Sequence, residues 1–162
     1  MEALAEYKEI GVEDNQLVLA NILNSKKVAC LPVREKIEIV ESALFSLDQV
    51  DLPVSHYFAE GLYIRQFTIP RSVMLTSFYH KTEQFQIMLR GKLSIVTEDG
   101  VIQVSAPYYG VSRAGLKKLA YAHEEVLWID VHANPTNERD IDVLEKMLYA
   151  NTYEELLQSR ES

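Results

Sequence analysis

The sequence predicts a mainly β fold, an antiparallel barrel flanked by helices at its N- and C-terminal ends. From residue 61 onward, short runs rich in β-branched and aromatic residues recur at spacings of roughly eight to twelve residues. Turn signals separate these runs, and no helical pattern lies between them, as a parallel sheet would require. Before residue 50 and after residue 135, apolar residues instead recur three and four positions apart, which is typical of helices.

Seven strands are predicted in the central region. The clearest turn is Glu98-Asp99-Gly100-Val101, where Asp-Gly favours a two-residue hairpin whose central residues have positive φ. The predicted strands are 61–70, 73–79, 85–89, 92–98, 101–106, 116–122 and 126–131.

The first fifty residues are predicted to be helical. Asp14 or Asn15 can cap a first helix, and Pro32 separates it from a second. We expect both apolar stripes to pack on the barrel or on a second copy of the chain. The stripes are Leu19, Ile22 and Leu23, then Ile37, Val40, Leu44 and Leu47.

The end of the chain is predicted to be helical again. Asn137 can cap a helix that carries the stripe Ile141, Leu144 and Leu148. Thr152 and Glu155 have the spacing of a capping box, which predicts a further short helix. The expected organisation is one structural domain: a helical extension (1–50), a barrel (51–134) and a C-terminal helical segment (135–162).

Composition narrows the classes of function. The chain of 162 residues is 48% hydrophobic and 25% charged, values typical of one globular domain. Its formal net charge of −8 disfavours nucleic-acid binding. We expect no membrane association and a cytoplasmic location, because no apolar run approaches the ~20 residues of a spanning helix and the N-terminus lacks the pattern of a signal peptide. Cys30 is expected to be a small buried side chain.

The polar run 78–84 resembles the first motif of the cupin superfamily, which has two histidines separated by one residue, then a carboxylate, then a glycine. The matching positions hold Phe78, His80, Gln84 and Gly91. The second cupin motif, a Pro-x-Gly turn followed by a histidine, falls on Arg113, Gly115 and Lys118. The resemblance implies a jelly-roll barrel of the cupin type.

The same resemblance predicts that the metal site is degenerate. Three of the four ligand positions hold other residues, and Lys118 would place a cation where the metal should lie. We therefore expect no bound transition metal and no other cofactor. Glu83, His56 and His123 remain alternative ligands that could join His80.

Residues 35–137 are also similar to a family of small cupin-like proteins encoded by tailed phages and prophages. This likeness implies a viral origin, with the protein in the host cytoplasm or incorporated in the virion. The runs that carry it are 49–58, 61–65, 80–83, 97–100, 106–107 and 121–125, together with Trp128.

Two functions remain open at this stage. The favoured one is a non-catalytic module, a virion or accessory interaction protein that forms a homo-oligomer or binds other phage proteins. The alternative is a site in the barrel mouth for a polar or anionic small molecule, acting as a binder, a sequestering protein or an enzyme. In it Arg65 and Lys118 can anchor an anion, although an arginine on a barrel face more commonly pairs with a carboxylate such as Glu83 or with solvent. The sequence contains no phosphate-binding loop, nucleophile elbow or paired-cysteine motif. The candidate site residues are His80, Glu83, Gln84, Arg65, Lys118, His123 and His56.

Overall fold

The computed structural model describes residues 7–9 and 30–161. Among these residues, three helices lie outside the barrel: α1 (Val33–Phe45), α2 (Ile141–Leu148) and α3 (Tyr153–Glu161). The thirteen described strands are β1 (Tyr7–Glu9), β2 (Gln49–Val50), β3 (Val54–Ala59), β4 (Gly61–Ile69), β5 (Val73–Thr76), β6 (Tyr79–His80), β7 (Gln84–Arg90), β8 (Lys92–Thr97), β9 (Gly100–Ser105), β10 (Tyr108–Ser112), β11 (Leu119–Ala122), β12 (Val126–Asn134) and β13 (Tyr149–Ala150).

Two antiparallel sheets form the barrel. Sheet A has the strand order β2-β1-β5-β11-β8-β9, and sheet B has the order β10-β7-β12-β4-β3. The series β5-β11-β8-β9 and β4-β12-β7-β10 contain the eight strands of a jelly roll, in which the chain passes repeatedly from one sheet to the other. The fold class predicted from the sequence, a mainly β antiparallel jelly roll with flanking helices, is therefore confirmed.

The main core lies between the two sheets because inward and outward side chains alternate along each strand. On β12, Val126 and Trp128 are buried while Leu127 is half-buried on the other face. Apolar side chains from both sheets meet in one cluster, which includes Phe67, Ile69, Leu75, Met88, Leu93, Ile95, Ala120, Val126 and Trp128.

Helix α1 covers the outer face of sheet A. Its predicted stripe is confirmed for Ile37, Val40 and Leu44, which are buried and pack with Leu119 of β11, while Leu47 lies beyond the end of the helix and is half-buried against the same cluster. A partly buried ion pair joins α1 to the segment just before β11: Lys117 Nζ lies 2.8 Å from Glu41 Oε1. The helix therefore has a fixed position on the sheet.

The two C-terminal helices and β13 close one end of the barrel. Leu144, Leu148 and Tyr149 cluster with Tyr63 of β4, and β13 pairs with β6. The α2 cap differs from the prediction. Asp140 caps the helix, accepting from Val143 N at 3.3 Å, because Asn137 has positive φ and its Oδ1 accepts from Gly61 N.

The structure contains one of the two hydrogen bonds of the capping box predicted for α3. Glu155 N donates to Thr152 Oγ1 at 3.1 Å. The Glu155 carboxylate reaches back one residue further than predicted and accepts from Asn151 N at 2.9 Å. Leu156 is buried against Tyr79 and Ala150, so α3 is tied to the same end of the barrel as α2.

Two expectations about the N-terminal segment need correction, and a third is not tested. The segment predicted to be helical before residue 50 contributes two strands, β1 and β2, to sheet A. The helix predicted around Leu19, Ile22 and Leu23 lies outside the described residues. Cys30 is exposed rather than buried, because it lies in the turn that precedes Pro32 and α1.

The predicted Asp-Gly hairpin exists but is shifted by one residue. Thr97 pairs with Gly100, so the two loop residues are Glu98 and Asp99. Gly100 adopts the positive φ of 125°, and the loop residues do not. In the part of the chain that the structure describes, no helix is long and apolar enough to cross a membrane.

Candidate functional site

A cavity of about 70 Å³ lies between the two sheets, near the end that α2 and β13 close. This volume has room for roughly five water molecules, which corresponds to a small ligand of about six heavy atoms. One part of the wall is apolar and comes from Phe67, Ile69, Leu75, Phe78, Leu93, Ile95, Ala120 and Trp128. The polar part comes from Arg65, Thr76, Ser77, His80, Gln86, Lys118, Asp130 and Tyr149.

Asp130 is the buried anion of the polar wall. Its Oδ1 accepts hydrogen bonds from Trp128 Nε1 and Gln86 Nε2, both at 2.9 Å, and from Gln84 Nε2 at 3.3 Å. Burial by itself raises the pKa of this carboxyl, but Lys118 and two histidines more than offset that effect and hold the pKa below its ordinary value. Asp130 therefore remains charged inside the barrel.

Lys118 is a cavity amine with a neutral hydrogen-bond partner. Its Nζ donates to Gln86 Oε1 at 2.8 Å. Burial lowers the pKa of the amine to about 8, and Asp130 opposes this shift. Near pH 8 about half of these amines are neutral, a state that an ordinary surface lysine rarely reaches.

His80 places a neutral imidazole in the same wall. Burial, followed by the Lys118 cation, lowers its pKa to about 3. Its Nδ1 is buried and has no hydrogen-bond partner among the described residues. A buried polar atom in this state destabilises a fold by ~1–3 kcal/mol, so a water or ligand that pairs with it is favoured.

Arg65, Tyr149 and His132 form a hydrogen-bonded chain beside the cavity. Arg65 Nη1 donates to the Tyr149 hydroxyl at 2.8 Å, and that hydroxyl lies 2.9 Å from His132 Nε2. Burial lowers the pKa of His132 to about 4, so its Nε2 can accept the tyrosine proton. His132 is buried because it occupies one of the inward positions that alternate along β12.

Three of the predicted site residues meet in the cavity wall: His80, Arg65 and Lys118. They come from β6, β4 and the segment before β11, so only the barrel closure brings them together. Gln84 lies beside this group, bound to Asp130, but it does not line the cavity.

The other three predicted site residues lie elsewhere. Glu83 is exposed, because it precedes β7 and the inward positions of that strand begin at Gln84. His123 contacts Ser94 Oγ at 2.7 Å on the outer side of sheet A. His56 is on the edge strand β3, where its Nδ1 lies 2.8 Å from the Tyr63 hydroxyl.

Sequence reasoning missed five residues of the polar wall: Asp130, Gln86, Tyr149, Thr76 and Ser77. The alternation on β12 that buries Val126 and Trp128 also places Asp130 inward, and this signal is visible in the sequence. Gln86 follows Gln84 with the same period on β7. Tyr149 carries no such signal, because it reaches the cavity only when the C-terminal segment closes the barrel.

The residues present do not fit a divalent metal centre of the kind that the cupin resemblance implies. Phe78, His80 and Lys118 occupy motif positions in the cavity wall, and only His80 offers a neutral nitrogen ligand. The Lys118 cation opposes a second positive charge there. No group of three or more His, Cys, Asp or Glu side chains suited to a metal gathers within residues 7–9 and 30–161. The absence of a resident metal stays a prediction.

No protein-family model matches the sequence, and no curated protein matches it. Parts of the chain are similar in shape to solved cupins. A cupin-2 domain protein from Shewanella frigidimarina has a TM-score of 0.45 and 17% identity, covering 58% of this chain and 92% of that one. An RmlC-like cupin from Methanocaldococcus jannaschii has a TM-score of 0.44 and 15% identity, covering 53% and 84%. A cupin domain from Bordetella pertussis has a TM-score of 0.43 and 9% identity, covering 54% and 98%.

Proposed function

We propose that the barrel binds a small organic acid, with its carboxylate at the polar wall and its carbon chain among the apolar side chains. The observation that carries this proposal is the division of one cavity wall into an apolar part and a part that holds two cations, Arg65 and Lys118. Concave, mainly apolar sites with a few convergent polar groups are the usual form of small-molecule sites.

The charges of the wall favour an anion. At neutral pH Arg65 is a cation and Lys118 is mainly one, while Asp130 supplies one compensating negative charge. His80 and His132 are neutral under the same conditions. A bound carboxylate would balance the remaining positive charge and form charge-assisted hydrogen bonds. A strong shift of pKa at several groups around one cavity is itself typical of a functional site.

The single tryptophan of the chain provides the test, because Trp128 lines the cavity. We expect its fluorescence to change saturably when acetate, propionate or butyrate is added. Butyramide, which has the same shape without the charge, should bind about 10- to 100-fold more weakly than butyrate, since a hydrogen bond to a charged group contributes ~1.5–3 kcal/mol.

Lys118→Met should weaken butyrate binding, whereas Lys92→Met, outside the cavity wall, should leave it unchanged. Equal affinity for the acid and the amide, or no saturable response to any acid of the series, would contradict the proposal.

A second candidate function rests on the outer face of sheet B. The row Val111, Phe85, Val131, Ile64 and Tyr57 crosses all five strands in register and is entirely apolar. Three of its members are exposed, Val111 at 63%, Phe85 at 43% and Tyr57 at 50%. Of the described helices, none packs on this face. Exposed apolar surfaces of this extent are typical of interaction sites.

The partner that this face fits is a second copy of the chain. The area of this face follows from its dimensions: five strands lie about 4.8 Å apart, and the outward residues extend about 20 Å along them. The flat area is therefore roughly 500 Å², and the side chains that project from it add further surface. That approaches the ~800 Å² that each partner of a standard interface buries. Two copies can pack face to face as in a β-sandwich, with the same patch on each. Service in a phage virion, or binding to other phage proteins, stays a prediction.

A further inference from the structure

Two adjacent lysines have opposite environments. Lys117 points toward α1, where its Nζ is 2.8 Å from Glu41 Oε1 and lies 4.8 Å from the centre of the Tyr79 ring. Lys118 lines the cavity, and the neutral amide of Gln86 is its hydrogen-bond partner. Within the described ranges, 7–9 and 30–161, no salt bridge to Lys118 is present. Lys117 is therefore held in an ion pair with α1, whereas the amine of Lys118 faces the space that a ligand would occupy.

We propose that Lys118 forms a Schiff base with the carbonyl carbon of a short 2-oxo acid bound in the cavity. This inference rests on the proposed function, because a carboxylate held by Arg65 places the neighbouring C2 carbonyl inside the same small space. Both side chains line a cavity that holds only about six heavy atoms. A 2-oxo acid such as pyruvate has this size, and it carries the electrophile directly beside the anion.

The step is an addition followed by loss of water. The lone pair of Lys118 Nζ attacks C2, and the carbonyl π electrons move to oxygen, which takes up a proton to give a carbinolamine. That hydroxyl takes a proton from solvent and leaves as water while the nitrogen lone pair forms the C=N bond, and the remaining amine proton is released to solvent. Amine and ketone therefore become imine and water, and nothing is oxidised or reduced.

The surroundings of Lys118 favour this chemistry. A lysine becomes nucleophilic when burial or a nearby cation keeps part of it neutral. Burial lowers the pKa of Lys118 to about 8. The charged group that acts against this is Asp130, while His80 is neutral. The apolar side chains of Phe67, Leu93 and Ile95 limit the water that could reverse the condensation.

Reductive trapping tests the proposal on the full chain. The protein is incubated at pH 7 with pyruvate and sodium cyanoborohydride, which reduces imines in preference to ketones. The intact mass should then rise by that of pyruvic acid less one oxygen atom, once per chain. Fragment spectra that separate Lys117 from Lys118 should place the group on Lys118, at least about ten-fold above Lys92, because an ordinary lysine is far less often neutral at this pH.

Two variants sharpen the result. Lys118→Arg keeps the positive charge and should abolish the adduct, whereas Lys92→Arg should not reduce it. Butyrate, which lacks a ketone group, should protect Lys118 by competition. Circular dichroism verifies that each variant is folded. If Lys118→Arg does not fold, the position of the adduct and the protection by butyrate in the unaltered chain still decide the question.

The failure of this inference is distinguishable from that of the proposed function. Saturable quenching of Trp128 by pyruvate without an adduct on Lys118 would overturn the Schiff base and leave the organic-acid site in place. Labelling spread evenly over exposed lysines, or placed on Lys117, would also overturn it. If neither binding nor labelling occurs, both proposals fail.

Discussion

At the residue scale, the polar wall of the cavity depends on Asp130. Its carboxylate accepts from Trp128, Gln86 and Gln84, and among the described residues it is the one anion that lines the cavity with Lys118 and Arg65. Removing one partner of a buried charge pair leaves the other uncompensated.

We therefore expect Asp130→Ala to lower the free energy of unfolding by ~3–5 kcal/mol, measured by urea denaturation. Asp99 is the matched control, because it forms an exposed ion pair with Arg113 at 2.7 Å. Asp99→Ala should change stability little, since exposed pairs contribute little. Similar losses for the two variants would show that Asp130 does not hold buried charges together.

His80 gives the fold a defined pH dependence. Burial and the Lys118 cation lower its pKa in the folded state to about 3, with Arg65 and His132 acting in the same direction and Asp130 against it. In the unfolded chain the pKa is ~6.5, so the unfolded state binds more protons between these values. Stability is therefore lost as the pH falls from about 6.5 toward 3.

At pH 5 the share of His80 in this loss is ~2 kcal/mol relative to pH 7. His80→Gln should remove that share from the difference between urea unfolding curves at the two pH values. His132, whose pKa is about 4, should keep its own contribution in the variant. An unchanged difference in His80→Gln would contradict a neutral, buried His80.

At the scale of the element, the turn between β7 and β8 requires glycine at position 91. Gly91 has φ of +93°, and a Cβ there would lie 2.2 Å from the backbone oxygen of Glu125. Gly100 also has positive φ, at +125°, but no atom lies within 4 Å of a Cβ built on it. An alanine at either position would have an unfavourable positive φ, but only at position 91 would its Cβ also clash with the backbone.

Gly100→Ala should therefore lower the free energy of unfolding by ~1–2 kcal/mol, and Gly91→Ala by several kcal/mol. Thermal unfolding monitored by circular dichroism compares the two directly. Equal losses would mean that the strand after Glu125 moves away at no cost, so that the turn is not tightly packed.

The elements differ in how well the sequence predicts them, for physical reasons. Strands with one buried face, such as β4 and β12, show in their sequences the run of β-branched and aromatic residues that predicts a strand. The sequence does not predict β3, because Ser55 and His56 on this exposed edge interrupt the apolar pattern. It also misses β10, where Gly110 breaks the apolar run. These strands acquire their conformation from pairing with β4 and β7.

The site shows the same limit. His80, Arg65 and Lys118 were candidates because their residue types suggested a site, and the jelly roll brings them to one wall. Tyr149 could not be found, since it is nearly 70 residues from His80 along the chain and pairs with it only through β13. Contacts of this kind depend on the closure of the whole fold rather than on local pattern.

At the scale of the whole molecule, the two sheets differ in what covers them. Helix α1 packs on sheet A, while the outer face of sheet B presents the apolar row that contains Phe85 and Val111. We expect a dimer formed through this face, which light scattering after size exclusion would measure. Phe85→Glu should give a monomer, whereas Val101→Glu, at an exposed apolar position of sheet A, should not.

A wild-type chain that is monomeric at high concentration would contradict the dimer. If Phe85→Glu then still lowered stability, another segment of the same chain would be the occupant of this face.

The central claim is that the barrel interior is a site for a small organic acid. A crystal structure of the protein with butyrate tests it most directly. We predict one ligand in the cavity, with its carboxylate within hydrogen-bond distance of Lys118 or Arg65 and its carbon chain against Leu93 and Ile95. A cavity that contains only water at saturating butyrate, or a butyrate bound solely outside the barrel, would contradict the claim.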